Sequence, residues 1–241
     1  MLEDLRRRVR LRQRLRRRER VLKGDEELRF WLTEWDPVIR AGGFNPGDVP
    51  ELLGHEPVAE TYAGRRWQIA RAEVVRVLRE AAIGDQGFFE GKVVLDIGSG
   101  PLGFPDACPA RVSLSVDPLH ERYAASGLLL EGSPAIYLSV GAERIPLVSA
   151  SVDVVVVRNA LDHVDDPDAV LAEIQRLLKP GGELIANFDV GHTPTPTEPH
   201  DLRVDAVKDA LAAMTVEHEQ AWDRAHGFDG HAVVLRARKA A

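Results

Sequence analysis

The sequence lacks the features that mark a secreted or membrane-spanning chain. Its 241 residues include one cysteine, Cys108, so no disulfide can form within the chain, as is usual in a reducing compartment. No stretch reaches the roughly 18 apolar residues that a membrane-spanning helix needs. The arginine-rich N-terminus lacks the central apolar stretch of a signal peptide. Because 44% of the residues are hydrophobic, the chain can still bury a sizeable core. We therefore expect a folded cytoplasmic protein without a transmembrane segment.

Charge is distributed unevenly along the chain. Residues 1–23 contain ten arginines and one lysine against three acidic residues, a formal charge of +8 that leaves −15 for the remainder. These residues favour helix and include no glycine or proline, so they predict a basic helical arm. Such an arm is either solvated or contacts an acidic partner, a nucleic acid, a membrane surface or a second subunit.

The pattern of apolar residues changes near residue 90. Residues 24–64 mix aromatic residues with turn formers and predict a short helix followed by a long loop. Helices are predicted at 25–40, 65–83, 168–179 and 203–213, the third with Asp166 as its N-cap and Pro167 in its first turn. Strand-length apolar runs occur at 92–97, 111–116, 135–140, 152–157, 183–188, 215–222 and 231–238. Strands that alternate with helices predict an α/β fold with a mostly parallel sheet.

A glycine-rich turn follows the first predicted strand. Gly98, Gly100 and Gly103 have the spacing G-x-G-x-x-G, which lets the backbone turn tightly and approach a ligand closely. This pattern alone is weak, because nicotinamide-dependent oxidoreductases share it. Asp117 stands 21 positions after Asp96 at the end of the second strand, where a carboxylate can accept both hydroxyls of a ribose. Its alternative role is that of a turn residue.

Four motifs in order resemble the type-11 domain of class I S-adenosylmethionine (SAM)-dependent methyltransferases. They lie at 93–101 (VVLDIGSGP), 141–155, 159–167 and 177–185. The resemblance covers roughly residues 90–190. It implies a Rossmann-like seven-stranded sheet of order 3-2-1-4-5-7-6, in which strand seven alone is antiparallel, and SAM as the cofactor. The expected organisation is a basic helical arm, a helical and loop lid and a SAM-binding methyltransferase domain, at 1–23, 24–90 and 91–241.

The resemblance also implies which residues hold SAM. They are Asp96, Gly98, Ser99, Gly100, Asp117, Pro118, Ala142, Glu143 and Asn159. Asp117 would bind the ribose hydroxyls, and Asn159 would lie beside the sulfonium and the acceptor. Many family members carry an aspartate at the position of Gly141 that bonds the adenine amino group. Here Glu143 or a backbone carbonyl would bond the adenine amino group instead.

Methyl transfer from a sulfonium needs little chemistry from the protein beyond alignment and desolvation. A general base is required when the acceptor is a hydroxyl or a protonated amine. The candidates are His163 and His200, with Asp162 and His192 beside them; each has an alternative role in packing, in capping or in a solvated loop. The remaining histidines make no metal-ligand pattern, so the sequence predicts no metal.

Three side chains of the predicted lid, Tyr62, Arg65 and Arg66, are candidates for contact with the SAM carboxylate. Competing interpretations remain for the whole chain. A nicotinamide-dependent oxidoreductase would share the glycine loop but leaves the Lys-Pro-Gly-Gly turn at 179–182 unexplained. A methyltransferase-like module without catalysis would fit Gly141. A nucleic-acid methyltransferase would use the basic arm on phosphates, but the acidic remainder favours a small-molecule, sugar or lipid-linked acceptor.

Overall fold

A seven-stranded sheet organises the part of the chain that the computed structural model describes, residues 21–43, 49–85, 87–223 and 230–241. Its strands are β1 (Val93–Ile97), β2 (Val112–Val116), β3 (Ile136–Leu138), β4 (Val152–Arg158), β5 (Leu178–Val190), β6 (Met214–Asp223) and β7 (His231–Lys239). Their order is β3-β2-β1-β4-β5-β7-β6, and β7 runs antiparallel to both of its neighbours. The predicted fold class, strand order and single antiparallel strand are confirmed.

Both faces of the sheet are covered, as the unbroken valine run of β4 predicts. Val155 and Val157 pack on one face in a cluster that includes the helix Pro167–Leu177. Val154 and Val156 point to the opposite face and join a cluster that includes the helix Tyr62–Glu80. Successive side chains of a strand point to opposite faces, so a strand between two helical layers needs apolar residues at every position.

The helices largely follow local chemistry. The described ones are Asp36–Arg40, Val49–Leu52, Tyr62–Glu80, His120–Ala125, Pro167–Leu177 and Val204–Ala210, with a π-helical turn at Trp31–Trp35, a 3₁₀ turn at Phe104–Asp106 and helical residues 21–30. Asp166 caps its helix by accepting from the Ala169 amide at 3.1 Å. Among these, no helix is both long and apolar enough to cross a membrane.

Several predicted boundaries differ from the structure. The interval predicted as a long loop contains the helix Val49–Leu52. The helix predicted at 168–179 ends at Leu177, because Leu178 already pairs with Val152 as the first residue of β5. The register then shifts, so that Glu183 pairs with Val154 and the Lys-Pro-Gly-Gly turn is accommodated inside the strand. Most of the predicted basic arm, residues 1–20, lies outside the described residues.

Arg65, which is buried, ties the helix Tyr62–Glu80 to the segments that precede it. Its guanidinium donates hydrogen bonds to four backbone carbonyls, those of Ile39, Arg40, Ala59 and Glu60, at 2.7–3.0 Å. We expect Arg65→Lys to lower the free energy of unfolding by about 2–4 kcal/mol, because a lysine ammonium cannot reproduce the planar fork and leaves carbonyls unsatisfied.

Chemical denaturation measures this loss. Arg71→Lys on the same helix is the control, because the Arg71 side chain is exposed in its ion pair with Glu56 and should change stability by less than about 0.5 kcal/mol. Equal stabilities of the two variants would contradict the anchoring role of Arg65.

Candidate functional site

A cavity of about 810 Å³ opens at the carboxyl ends of β1, β2 and β4. This is the edge of an open α/β sheet where ligands bind, and the volume is typical of small-molecule sites. All nine residues that the resemblance implies for the cofactor line this cavity: Asp96, Gly98, Ser99, Gly100, Asp117, Pro118, Ala142, Glu143 and Asn159. The structure therefore brings together side chains that lie up to 63 positions apart in the sequence.

The loop after β1 can be built only with glycine at its two tightest positions. Gly98 and Gly100 have φ angles of +69° and +61°, in the left-handed region that side chains disfavour. A Cβ on Gly98 would also collide with the Cβ of Ala160, and one on Gly100 would lie 3.1 Å from the Trp31 ring. The Gly98 amide donates to the Val116 carbonyl at 2.8 Å, which fixes the loop against the end of β2.

Two buried carboxylates stand beside this loop. Asp117 accepts the Gly100 amide at 3.1 Å on one oxygen and the Leu119 amide at 2.8 Å on the other. Burial raises the pKa of Asp117 despite these two hydrogen bonds. The pKa of Asp96 lies well above its usual value, mainly through burial and then through the charges of Asp106 and Asp117. The wall is therefore acidic and suited to a ligand with positive charge.

The role of His120, whose ring contacts the loop after β1, is not predicted from the sequence. Its Nε2 lies 3.0 Å from the Ser99 hydroxyl and 3.1 Å from the Ser115 hydroxyl, and the two hydroxyls are 2.6 Å apart. Its Nδ1 faces the Leu138 carbonyl at 3.2 Å, so the tautomer with the proton on Nδ1 leaves Nε2 to accept from a serine. No sequence motif marks this contact, because it depends on how β1, β2 and β3 pack.

We expect His120→Asn to reduce stability by about 1–3 kcal/mol, because it leaves buried hydroxyls without their partner. Burial lowers the pKa of His120 below its ordinary 6.5, so the unfolded chain takes up this proton at a higher pH than the folded one. The stabilisation is thus complete above about pH 6.5 and declines below it. Urea unfolding of both proteins at pH 8 and pH 5.5 should show a smaller difference at pH 5.5; a constant difference would contradict the neutral ring.

Residues 21–40 form a helical segment over the cavity mouth. Gly24 approaches the Leu119 side chain so closely that an added Cβ would lie 2.9 Å from it, and Asp25 pairs with Arg122 at 2.7 Å. At the other side of the mouth, the Lys23 ammonium donates to the His163 carbonyl. The segment therefore bridges the loops after β2 and β4, and it adds Glu27, Phe30, Trp31 and Trp35 to the lining.

The two histidines predicted as catalytic occupy different positions. His163 lines the cavity, and its Nε2 is 3.7 Å from Glu198 and 3.9 Å from Asp162. His200 is not among the described residues that line the cavity, and its Nε2 lies 2.9 Å from the Val164 carbonyl. Asp162 is fully buried, and burial raises its pKa to about 6. His163 is therefore the better placed of the two.

The lid residues predicted for a carboxylate contact do not face the cavity. Arg65 donates only to backbone carbonyls among the described residues, and Arg66 donates to the carbonyls of Pro101, Leu128 and Leu129. Tyr62 donates to Asp36. None of the three lines the cavity in the described part of the chain. The prediction fails because buried guanidinium groups must satisfy their donors locally. The basic residues that do line the cavity are Lys23, Arg76 and Arg158.

Gly141, where the sequence departs from the family pattern, also lines the cavity. Glu143, its proposed substitute, lies beside it, and an added Cβ on Gly141 would lie 2.8 Å from one Glu143 oxygen. The other oxygen accepts the Asp165 amide at 3.1 Å. One carboxylate oxygen of Glu143 is thus tied to the loop after β4, while the other faces Gly141.

Comparison with known proteins agrees with the observed fold. Residues 95–186 match the family model of a methyltransferase domain. An uncharacterized methyltransferase of Mycobacterium bovis (strain BCG / Pasteur 1173P2) is 30% identical over 104 residues, which are 42% of this chain and 40% of that protein. The chain thus spans about two fifths of the length of that relative.

Solved structures share the fold at low sequence identity. The 1,6-didemethyltoxoflavin-N1-methyltransferase of Burkholderia thailandensis, solved with 1,6-didemethyltoxoflavin and S-adenosylhomocysteine bound, is 21% identical with a TM-score of 0.52, covering 68% of this chain and 78% of that one. The [4+2]-cyclase SpnF is 16% identical with a TM-score of 0.59, covering 90% and 96%. These likenesses establish the fold alone.

Proposed function

We propose, from the premise that residues 95–186 form a class I methyltransferase domain, that this protein binds SAM in the cavity and transfers its methyl group to a small-molecule, sugar or lipid-linked acceptor. The convergence of all nine implied cofactor residues on one cavity wall carries this proposal. Residues 24–90 act in it as the lid, and the single, buried cysteine is consistent with the cytoplasm.

Each part of the wall has a role in binding. The backbone of Gly98 and Gly100, together with Asp96, would hold the amino-acid part of SAM, and Asp117 would accept the ribose hydroxyls. Pro118 on one side and the pair Ala142–Glu143 on the other would hold the adenine. Buried carboxylates attract the positively charged sulfonium. This attraction is stronger at the low dielectric of a buried site than in water.

Methyl transfer then depends on how the acceptor is positioned against the methyl group and on exclusion of water. Asn159, which adopts a φ of +45° directly after β4, lines the cavity and would lie beside the methyl group. The helical segment 21–40 covers the mouth, so an acceptor bound beneath Trp31 and Trp35 meets the sulfonium in a largely desolvated space. In-line attack breaks the carbon–sulfur bond and forms the acceptor–carbon bond, and alignment supplies much of the acceleration.

Cavity size and lining favour a small acceptor over a nucleic acid. A volume of about 810 Å³ suits a drug-sized ligand, and Phe30, Trp31 and Trp35 offer flat apolar surface to it. The Burkholderia neighbour was solved with a small heterocyclic molecule bound. The nucleic-acid alternative rests on the basic residues 1–20, which lie outside the described part of the chain.

Isothermal titration of the full chain with SAM, S-adenosylhomocysteine and NAD tests the cofactor assignment. We expect both adenosyl ligands to bind in the micromolar range and NAD not to bind. Binding of NAD alone would instead indicate an oxidoreductase, and no binding at millimolar SAM would indicate a non-catalytic module. A methyl-release assay across acceptor pools then identifies the acceptor.

A further inference from the structure

A cluster of three potential metal ligands lies where the ends of β4 and β5 meet. Asp162 follows β4, while His192 and Glu198 lie in the loop after β5, and their ligand atoms are all within 4.8 Å of one another. The sequence predicts no metal, because its scattered histidines make no metal-ligand pattern. Asp162 and His192 are 30 positions apart and form no short motif. The adjacency of β4 and β5 in the sheet is what brings them together.

Asp162 is the unusual member of this cluster. Its side chain is 0% exposed, and neither carboxylate oxygen makes a hydrogen bond to another described residue. Buried carboxylates are normally paired, hydrogen-bonded or bound to a metal, because an isolated buried charge costs several kcal/mol. A cation in contact with Asp162 would remove this cost.

The spacing of the ligand atoms suits coordination better than hydrogen bonding. Asp162 Oδ2 lies 3.9 Å from the Nε2 atoms of both His192 and His163. This is too long for a hydrogen bond. It is closer to the separation of about 3.3 Å expected between two ligands on a tetrahedral ion with bonds of about 2.0 Å.

The hydrogen-bonding surroundings of His192 also fit metal coordination. Its Nδ1 lies 3.3 Å from the Thr193 carbonyl, and metal-binding histidines commonly donate their second N–H to such an oxygen. The Nε2 atom then carries a lone pair, and the His200 carbonyl oxygen lies 3.1 Å from it. Either a proton on Nε2 or a neighbouring cation is needed to make this contact favourable, and the unpartnered oxygens of Asp162 favour the cation.

We propose that Asp162, His192 and Glu198 bind a divalent cation beside the cavity. The two carboxylates balance its charge, and a ligand set of oxygen and imidazole without thiolate suits ions such as Mn²⁺, Mg²⁺ or Zn²⁺. Glu198 also lines the cavity, so the ion lies next to the acceptor space.

The role of the ion rests on the proposed function. It would bind the oxygen of a hydroxyl-bearing acceptor and stabilise it as the anion, whose proton is released to solvent. The oxygen–carbon bond then forms as the carbon–sulfur bond of SAM breaks. The acceptor class is accordingly an alcohol or phenol.

The test is a titration of the chelator-treated full chain with Mn²⁺, followed by calorimetry and by electron paramagnetic resonance. We expect one saturable site, weakened at least about 100-fold by Asp162→Asn and by Glu198→Gln, with SAM affinity retained. Glu198 is partly exposed, so its variant should fold even where Asp162→Asn does not. Asp153→Asn is the control, because Asp153 pairs with Lys179 at the opposite end of β4 and should leave Mn²⁺ affinity unchanged.

Two outcomes would overturn the metal site. One is the absence of a saturable Mn²⁺ or Zn²⁺ site in protein that binds SAM, which leaves the proposed function intact. The other is equal Mn²⁺ affinity in the wild type and in both ligand variants. Failure of the wild type to bind SAM, with Mn²⁺ binding preserved, would instead defeat the proposed function and keep the site.

Discussion

Replacing Gly98 with alanine should lower the free energy of unfolding by about 3 kcal/mol and abolish the thermal shift induced by SAM. The new Cβ would lie less than 3.0 Å from the Cβ of Ala160, a separation that real Cβ atoms essentially never show. The residue would also be held at a φ of +69°. Overpacking and left-handed strain each cost about 1–3 kcal/mol. The loop would have to move away from the end of β4, which distorts the cofactor wall.

Gly127→Ala is a matched control for this effect. Gly127 has the same φ of +69°, but an added Cβ would meet nothing within 4 Å. The control therefore carries only the conformational cost, about 1 kcal/mol. The pair Gly98→Ala and Ala160→Gly should recover most of the lost stability, because it removes the colliding methyl. If Gly98→Ala cost no more than Gly127→Ala, the close approach of the loop to Ala160 would be wrong.

Asp117→Asn should weaken SAM binding about 100-fold, equivalent to about 2.7 kcal/mol. An ionised carboxylate accepts hydroxyl hydrogen bonds strongly, whereas an amide has only one oxygen for the backbone amides of Gly100 and Leu119 and for the ribose. Calorimetric titration measures the loss. Asp153→Asn removes a carboxylate far from the cavity and should leave SAM affinity within about twofold; equal effects of the two variants would contradict the ribose contact.

The pH dependence of SAM affinity adds an independent check. Burial raises the pKa of Asp117, so its ionised form is lost at a higher pH than for an ordinary aspartate. SAM affinity should therefore be full above this raised pKa and should fall as the pH decreases through it. In Asp117→Asn this part of the pH dependence should disappear, which a titration series between pH 8 and pH 5 would show.

Contacts on two sides hold the helical segment 21–40 over the cavity mouth. Gly24 and Asp25 bring the helical segment 21–40 onto the loop after β2, whereas Lys23 reaches the loop after β4. Trp31 lies over Gly100 and donates to Glu27 at 2.8 Å, so the ring is held in position above the glycine loop. Glu27 lines the cavity, and burial raises its pKa.

Features whose cause lies within a few neighbouring residues are predictable from the sequence alone. The valines of β4 predict a strand covered on both faces, and Asp166 and Pro167 mark where the helix Pro167–Leu177 begins. The glycine spacing predicts the loop after β1. The resemblance implied the strand order, which is confirmed, and nine residues for the cofactor, all of which line the cavity.

Contacts between residues that are distant in the chain depend instead on how the strands and helices pack together. His120 meets Ser99 because β1, β2 and β3 lie side by side, and Arg65 faces inward because the segment before its helix offers backbone carbonyls there. The assembly of Asp162 with His192 depends in the same way on the pairing of β4 with β5. Local patterns specify the path of the backbone, but hydrogen-bond partners and potential metal ligands are specified by which strands become neighbours.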